Sequence, residues 1–272
     1  MLRAGNWRHT FFVLGVGVAA MLAPLGAAAQ SGPDDWEFRA TIYGWLPNVK
    51  ATTNLTTVKV DGDEILDDLQ FAAMGTLQAR KGRWGAFTDV IYYDLSGSKT
   101  GGRQFTVRGG GPVAAPADAI LNGNLSMDGW VWTLAGQYTA IQEPTHELNV
   151  FAGFRYLSVS TSFNWSFSGN VGPIATPLRA GSESADDHYW DAIAGVHGIY
   201  KLGDGRWFLP YYLDVGTGSS EHTWQALAGV GYQFKWGSVV AAYRYLEYEM
   251  EEGKVLEDMS MYGPMLGVTF QF

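Results

Sequence analysis

Tyr262-Gly263-Pro264-Met265-Leu266-Gly267-Val268-Thr269-Phe270-Gln271-Phe272 closes the chain with a period of two. Tyr262, Pro264, Leu266, Val268, Phe270 and Phe272 share one face of an extended strand, and Gly263, Gly267, Thr269 and Gln271 share the other. Working backwards, Ala226, Ala228, Val230, Tyr232, Phe234 and Trp236 oppose Gln225, Gly229, Gly231, Gln233 and Lys235 in the same manner. Further upstream, Trp130, Trp132, Leu134 and Tyr138 oppose Thr133, Gln137 and Thr139. Each strand has one apolar face and one small or polar face. A barrel with hydrocarbon outside and a tight lumen inside requires this, and so does a soluble barrel with the faces exchanged.

The terminal aromatic row decides between them in favour of the membrane barrel, and the beginning of the chain agrees. Residues 1–10 carry Arg3 and Arg8 without an acid, an apolar run extends from Phe11 to Leu25, and Ala27-Ala28-Ala29 precedes Gln30. This is the layout of a secretory signal peptide, a cleavable signal helix over 1–29, and the run is short for a spanning helix. The mature region is then 30–272. It holds 16 of the 18 basic residues and all 27 acids, a net charge of −11 that speaks against nucleic acid as a partner. Cysteine is absent, which excludes a disulfide scaffold and a thiolate metal site. Gly numbers 35, Trp 11 and Tyr 14, and after Gln30 no apolar stretch is long enough for a helical span. An exported chain rich in interfacial aromatics, with no helical span, fits strands that alternate between lipid and lumen.

Ten alternating segments are predicted near 36–47, 70–80, 84–97, 125–141, 147–164, 186–201, 206–217, 221–235, 238–250 and 258–272. The connections alternate between short and long. Short ones fall at 81–83, 143–146, 202–205 and 235–237; long outer loops are expected near 48–69, 98–124, 165–185 and 251–257, with a tighter one at 216–220. The expected fold is all-β, an antiparallel up-and-down transmembrane β-barrel of about ten strands, with eight or twelve as alternatives.

From Pro210 to Phe272 the chain resembles a group of proteobacterial outer-membrane β-barrel proteins of unassigned role. The residues that carry the resemblance are Asp214-Val215-Gly216, Thr223 to Tyr232, Tyr243-Arg244-Tyr245-Leu246 and Gly263 to Phe270. Arg80 to Gly85 and Gly153-Phe154-Arg155-Tyr156 fit the same pattern upstream. The resemblance implies a fold and a place, the cell outer membrane, and no activity. The terminal row Tyr262, Leu266, Val268, Phe270 and Phe272 also resembles the signal read by the barrel-insertion machinery, which makes that machinery an expected partner beside lipid and lipopolysaccharide.

Parity turns Glu37, Arg39, Arg80, Asp89, Arg155, Asp191, Asp214 and Arg244 inward, four acids and four arginines. Isolated ions in a narrow lumen cost several kcal/mol each, so pairing is expected, and Arg suits a carboxylate better than Lys. Counting residues from the short turns pairs Arg155 with Asp191 and Asp214 with Arg244. A balanced set that fills the lumen makes a structural barrel, or one that binds at its outer loops. The alternative is a narrow or gated porin-like pore for small solutes. Proteolysis is a remote third reading, because Asp61-Gly62-Asp63 and Asp186-Asp187-His188 carry suitable spacings in mismatched loops. No catalytic, cofactor or metal residues are assigned. His188, His197 and His222 are scattered, and His197 is expected to be a hydrogen-bonded lumen filler. Asp61, Asp63, Glu64, Asp67 and Asp68, and the acids between Glu247 and Asp258, are expected at the solvated rim, where divalent cations are candidate partners. One internal echo remains: Gly111-Pro112 to Ala119 recurs as Gly172-Pro173 to Ala180, apolar with matched prolines, in both cases within an expected outer loop.

Overall fold

The computed structural model describes residues 35–272 apart from 54–56, 64, 66–68, 109–113, 172–173 and 251–255. The expected signal peptide lies outside the described residues, as do Glu64, Asp67 and Asp68 and the Gly-Pro pairs of the internal echo. Twelve strands form: β1 (Trp36–Trp45), β2 (Asn48–Thr53), β3 (Thr57–Val60), β4 (Leu69–Lys81), β5 (Trp84–Arg108) and β6 (Ala114–Gln142). They continue as β7 (His146–Val171), β8 (Ile174–Leu202), β9 (Trp207–Gly218), β10 (His222–Gln233), β11 (Ser238–Glu249) and β12 (Leu256–Gln271). β1 and β4 to β12 pair in chain order, every pair antiparallel, and β12 returns to β1, closing a ten-stranded barrel. At the seam Phe272 and Phe38 exchange backbone hydrogen bonds of 2.9 and 3.0 Å, so the barrel has no open edge along this line.

Short turns gather at one end. Lys81-Gly82-Arg83 and Leu202–Arg206 reverse the chain within a few residues, with Gly82 at φ 59° and Gly203 at φ 54°, values costly for a residue with a Cβ. At the opposite end β2 continues the pairing of β1 with β12 past Leu46-Pro47, and β3 folds back on β2.

The wall is inside out relative to a soluble barrel. Trp84 is 70% exposed and Ile42 68%, whereas Arg155 is wholly buried and Asp214 is 1% exposed. Outward positions carry two belts of rings. Trp84, Tyr138, Trp207, Tyr232, Phe234, Trp236 and Phe270 ring the short-turn end. Tyr92, Trp130, Tyr156, Trp190, Trp224, Tyr245 and Tyr262 ring the other. Along β5 the belts are eight residues apart, Trp84 to Tyr92, so a tilted strand places them roughly 20–25 Å apart. Between the belts the outward positions of the described strands are Ala, Val, Leu, Ile, Gly, Pro, Thr and aromatic residues, with no charge. This is the surface a hydrocarbon layer requires, and the barrel is a transmembrane one.

The stretches 98–124 and 165–185, expected as loops, are mostly strand. β5 and β6 pair continuously out to Arg108 opposite Ala114, and β7 and β8 out to Val171 opposite Ile174. The expected loops at 48–69 and 251–257 likewise contain β2 and β3 and the start of β12. The internal echo is built into these strands as well. Pro116 lies one residue beyond the last β6–β7 pair, Ala117 with Val171, so only one side of its strand is bonded. Pro177 falls at the register irregularity between Phe167 and Gly169. Both are places where a missing N–H is tolerated.

Candidate functional site

Inward residues stack in layers from the short-turn end. At the mouth, Glu37 on β1 accepts from Arg80 on β4, its Cα partner, at 2.5 Å (Nη2) and 3.2 Å (Nε). Glu147 on β7 receives Arg39 at 3.4 Å and Asn149 at 3.1 Å, and it forms a looser ion pair with Arg80 at 3.4 Å. A plug of rings follows: Phe87 meets Phe151 edge-on at 5.1 Å and His197 at 5.3 Å, and Phe151 meets Tyr212 at 5.1 Å. His197 shares a 2.9 Å hydrogen bond with Gln137. Phe208 fills the floor because Gly231 offers no Cβ; one placed there would lie 2.2 Å from the ring.

The ionic centre lies above this plug. Arg244 on β11 reaches across the lumen to Asp89 on β5 at 3.0 Å, and it also donates to Tyr43 at 2.9 Å and Gln225 at 2.8 Å. Asp89 is saturated further by Tyr43 at 2.8 Å and Thr76 at 2.7 Å. Arg155 on β7 pairs with Asp214 on β9 and reaches Thr133 and Thr223 at 3.5 Å. Tyr212 donates to the same Asp214 oxygen at 2.5 Å. A cavity of about 160 Å³ lies beside this centre, bordered by Asp89, Arg244, His197, Tyr212 and Gln225. An apolar layer of Trp45, Ile91, Leu157, Leu246, Tyr248 and Met261 closes the outer side. The Arg244 guanidinium lies 5.1 Å from the Trp45 ring centroid, a cation–π contact that ties the two layers together.

All eight charged residues expected in the lumen face inward or line its mouth, but the two expected pairings do not form. Among the described residues no ion pair joins Arg155 to Asp191 or Asp214 to Arg244; the partners are Asp214 and Asp89 instead. Arg155 and Asp191 are Cα partners across β7 and β8. Yet Asp191 turns to the β9–β10 connection, where the Ser220 amide donates to it at 2.9 Å. Barrel strands are tilted and sheared, so residues counted level from the turns are not level along the axis, and long side chains meet partners on other strands. Sequence parity also marks Glu147, which shares its inward parity with Arg155 but was not among the expected charges. With it the lumen holds, among the described residues, five acids against four arginines. Tyr43 and Tyr212 carry no charge, and no pattern singled them out.

Above the outer belt, Asp94 on β5 stands opposite Asp128 on β6, and Ser160 on β7 continues the row to Asp186 on β8. Partial burial first, and then Asp94 and Asp186, push the Asp128 carboxyl above the ordinary carboxylate range. Among the described residues no three His or acidic side chains converge as metal ligands.

No protein-family model matches the chain, and no curated protein matches it closely. Among solved structures it is similar to the translocator domain of autotransporter NalP from Neisseria meningitidis, at 14% identity over 90% of each chain with TM-score 0.39. It is similar to Ail, the attachment invasion locus protein of Yersinia pestis, at 10% identity, covering 88% of this chain and 99% of that one, TM-score 0.34. The Pseudomonas putida toluene transporter TodX aligns over 88% of this chain and 90% of its own at 10% identity, TM-score 0.34. Likeness at this level carries no functional weight, and the reading of the site rests on its own geometry.

Proposed function

We propose that the chain is a non-enzymatic outer-membrane barrel whose lumen is closed, a scaffold that carries an extended β-structure to the cell exterior. The observation that carries this is the stack of lumen layers. Arg155 and Asp214 are buried and mutually paired, and an aromatic plug lies on one side of them and an apolar layer on the other. Ten strands sit just above the roughly eight whose interior side chains alone can fill and far below the roughly 16–18 of open porins. A ring of one charge sign, as a selective pore needs, is not what the lumen holds. β5 to β8 are 25, 29, 26 and 29 residues long in all, against 12 for each of β9, β10 and β11. Material projecting above the membrane is therefore concentrated on one side of the wall, which supports a binding or structural role outside the cell. Lipid, lipopolysaccharide and the barrel-insertion machinery are its proposed partners, with divalent cations at the acidic rim.

Planar-bilayer recording of the refolded chain tests this reading. Silence is the expected result, and stepwise conductance from the unaltered chain would refute it. The cavity of about 160 Å³ favours a second reading, a narrow gated pore in which the Arg244–Asp89 contact is the gate. That reading requires openings in the unaltered chain under voltage.

A further inference from the structure

β4 stops pairing with β5 at Leu69 opposite Leu95, and β9 stops pairing with β8 at Gly218 opposite Asp191, with two further bonds between Ser219 and Trp190. Beyond these points the sheet continues as a four-stranded ribbon, β5-β6-β7-β8. Among the described residues, Ser96–Arg108 of β5 pairs only with β6, and Ile174–His188 of β8 pairs only with β7. The ribbon thus has two backbone edges of 13 and 15 residues, each roughly 40–50 Å long at the usual rise per residue. An unpaired edge is a template for another strand.

The two edges differ in charge. The β5 edge carries Lys99, Arg103 and Arg108 and no acid, a charge of +3. The β8 edge carries Glu183, Asp186 and Asp187 against Arg179, a charge of −2 with His188 neutral. Charges along an edge ordinarily blunt association, and one sign on both edges would serve that end. Opposite signs repel like edges and attract unlike ones. Direction agrees as well. β5 leaves the short-turn end and β8 returns to it. Two copies inserted in the same sense therefore present these edges antiparallel, the geometry of every other pair in the sheet.

We propose that the basic β5 edge of one copy pairs with the acidic β8 edge of a second copy, continuing the sheet from chain to chain above the membrane. This rests on the reading that the ribbon stands outside the outer membrane. The contact is heterologous. Each added copy leaves one edge of each kind exposed, so assembly does not stop at two copies but runs on into rows or closed rings.

The chain has no cysteine, so introduced thiols are unambiguous. Two full-length forms with different epitope tags, Thr100→Cys on the β5 edge and Ser182→Cys on the β8 edge, are made together in the outer membrane of a Gram-negative host. They are then treated with a short bifunctional maleimide. Mixed-tag product is expected from this pair, and each form alone is expected to give only the background set by Asp204→Cys at a short turn. A single chain with both thiols is expected to give a ladder past the dimer. Lys99→Glu with Arg103→Glu in the first form should lower mixed product about tenfold, and Glu183→Lys with Asp186→Lys in the second should restore it. Gel mobility without heating verifies that each variant is a folded barrel. Equal product from like edges, a ladder ending at the dimer, or no rescue by the reciprocal reversal would overturn the proposal. Labelling of Thr100→Cys in intact cells by a membrane-impermeant maleimide tests the underlying placement separately. An unlabelled thiol on a folded barrel would overturn that placement, whatever the cross-linking shows.

Discussion

Replacing Arg155 by Met removes a guanidinium that is wholly buried and donates to Asp214, Thr133 and Thr223. Asp214, 1% exposed, keeps the Tyr212 hydroxyl as its one donor among the described residues. A buried carboxylate stripped of its cation costs about 3–5 kcal/mol, and Met fills most of the vacated volume, so the loss belongs to the charge more than to a hole. Asp214→Asn on its own leaves the guanidinium without its counter-ion and should cost a similar amount. With both replacements no charge is stranded, and the double variant should return to within about 1–2 kcal/mol of the parent chain, a coupling of about 4 kcal/mol or more. The measurement is reversible denaturant unfolding of the refolded barrel in lipid vesicles, followed by tryptophan fluorescence. Additive losses, or an Arg155→Met loss below about 1 kcal/mol, would refute the view that this pair is a dry, mutually dependent unit.

Further outcomes follow from the same stack of layers. Trp45→Ala combined with Leu246→Ala removes much of the apolar layer; it should turn a silent barrel into one with brief conductance steps in planar bilayers, whereas Ile42→Ala on the outer wall should leave it silent. Gly231→Ala sets a methyl against the Phe208 ring and should lower unfolding stability by about 1–3 kcal/mol in the denaturant assay. The raised Asp128 carboxyl binds its proton more readily in the folded chain than in the unfolded one. Stability should therefore fall as pH rises through its titration. Asp94→Asn removes one of the neighbouring charges responsible, and unfolding curves taken across this range should show a shallower fall.

Where the wall faces hydrocarbon, the sequence was legible. Gln225–Trp236 and the segment ending at Phe272 must be apolar on alternate residues, and the period marks both strand and face. Legibility stops at the aromatic belt. Ser96–Arg108 and Gly181–His188 lie beyond the belt, where no hydrocarbon enforces a period of two; Gly, Ser and charged residues there look like loop although the backbone pairs regularly. The inward direction of Arg155, Asp214 and Arg244 was legible for the same reason as the strands. Their partners were not. Pairing across a bore depends on shear and on the reach of a guanidinium, and neither leaves a mark in local spacing. Glu147 could have been found by extending the parity of β7 downward from Arg155.

The seam between β1 and β12 has one more consequence. Every other barrel pairing joins strands adjacent in the barrel's own chain order, and each can form as soon as its hairpin is complete. The seam alone brings residues such as Arg39 and Gln271 together from opposite ends of the described chain. The entropy of closing the whole ring is therefore concentrated in a single late event rather than spread over many contacts. Until that event the sheet is a curved ribbon with Phe38 and Phe272 on its two raw margins. The rate at which closed barrels accumulate should follow the encounter of these margins, and the tall wall of β5 to β8, remote from them, should have little influence on it.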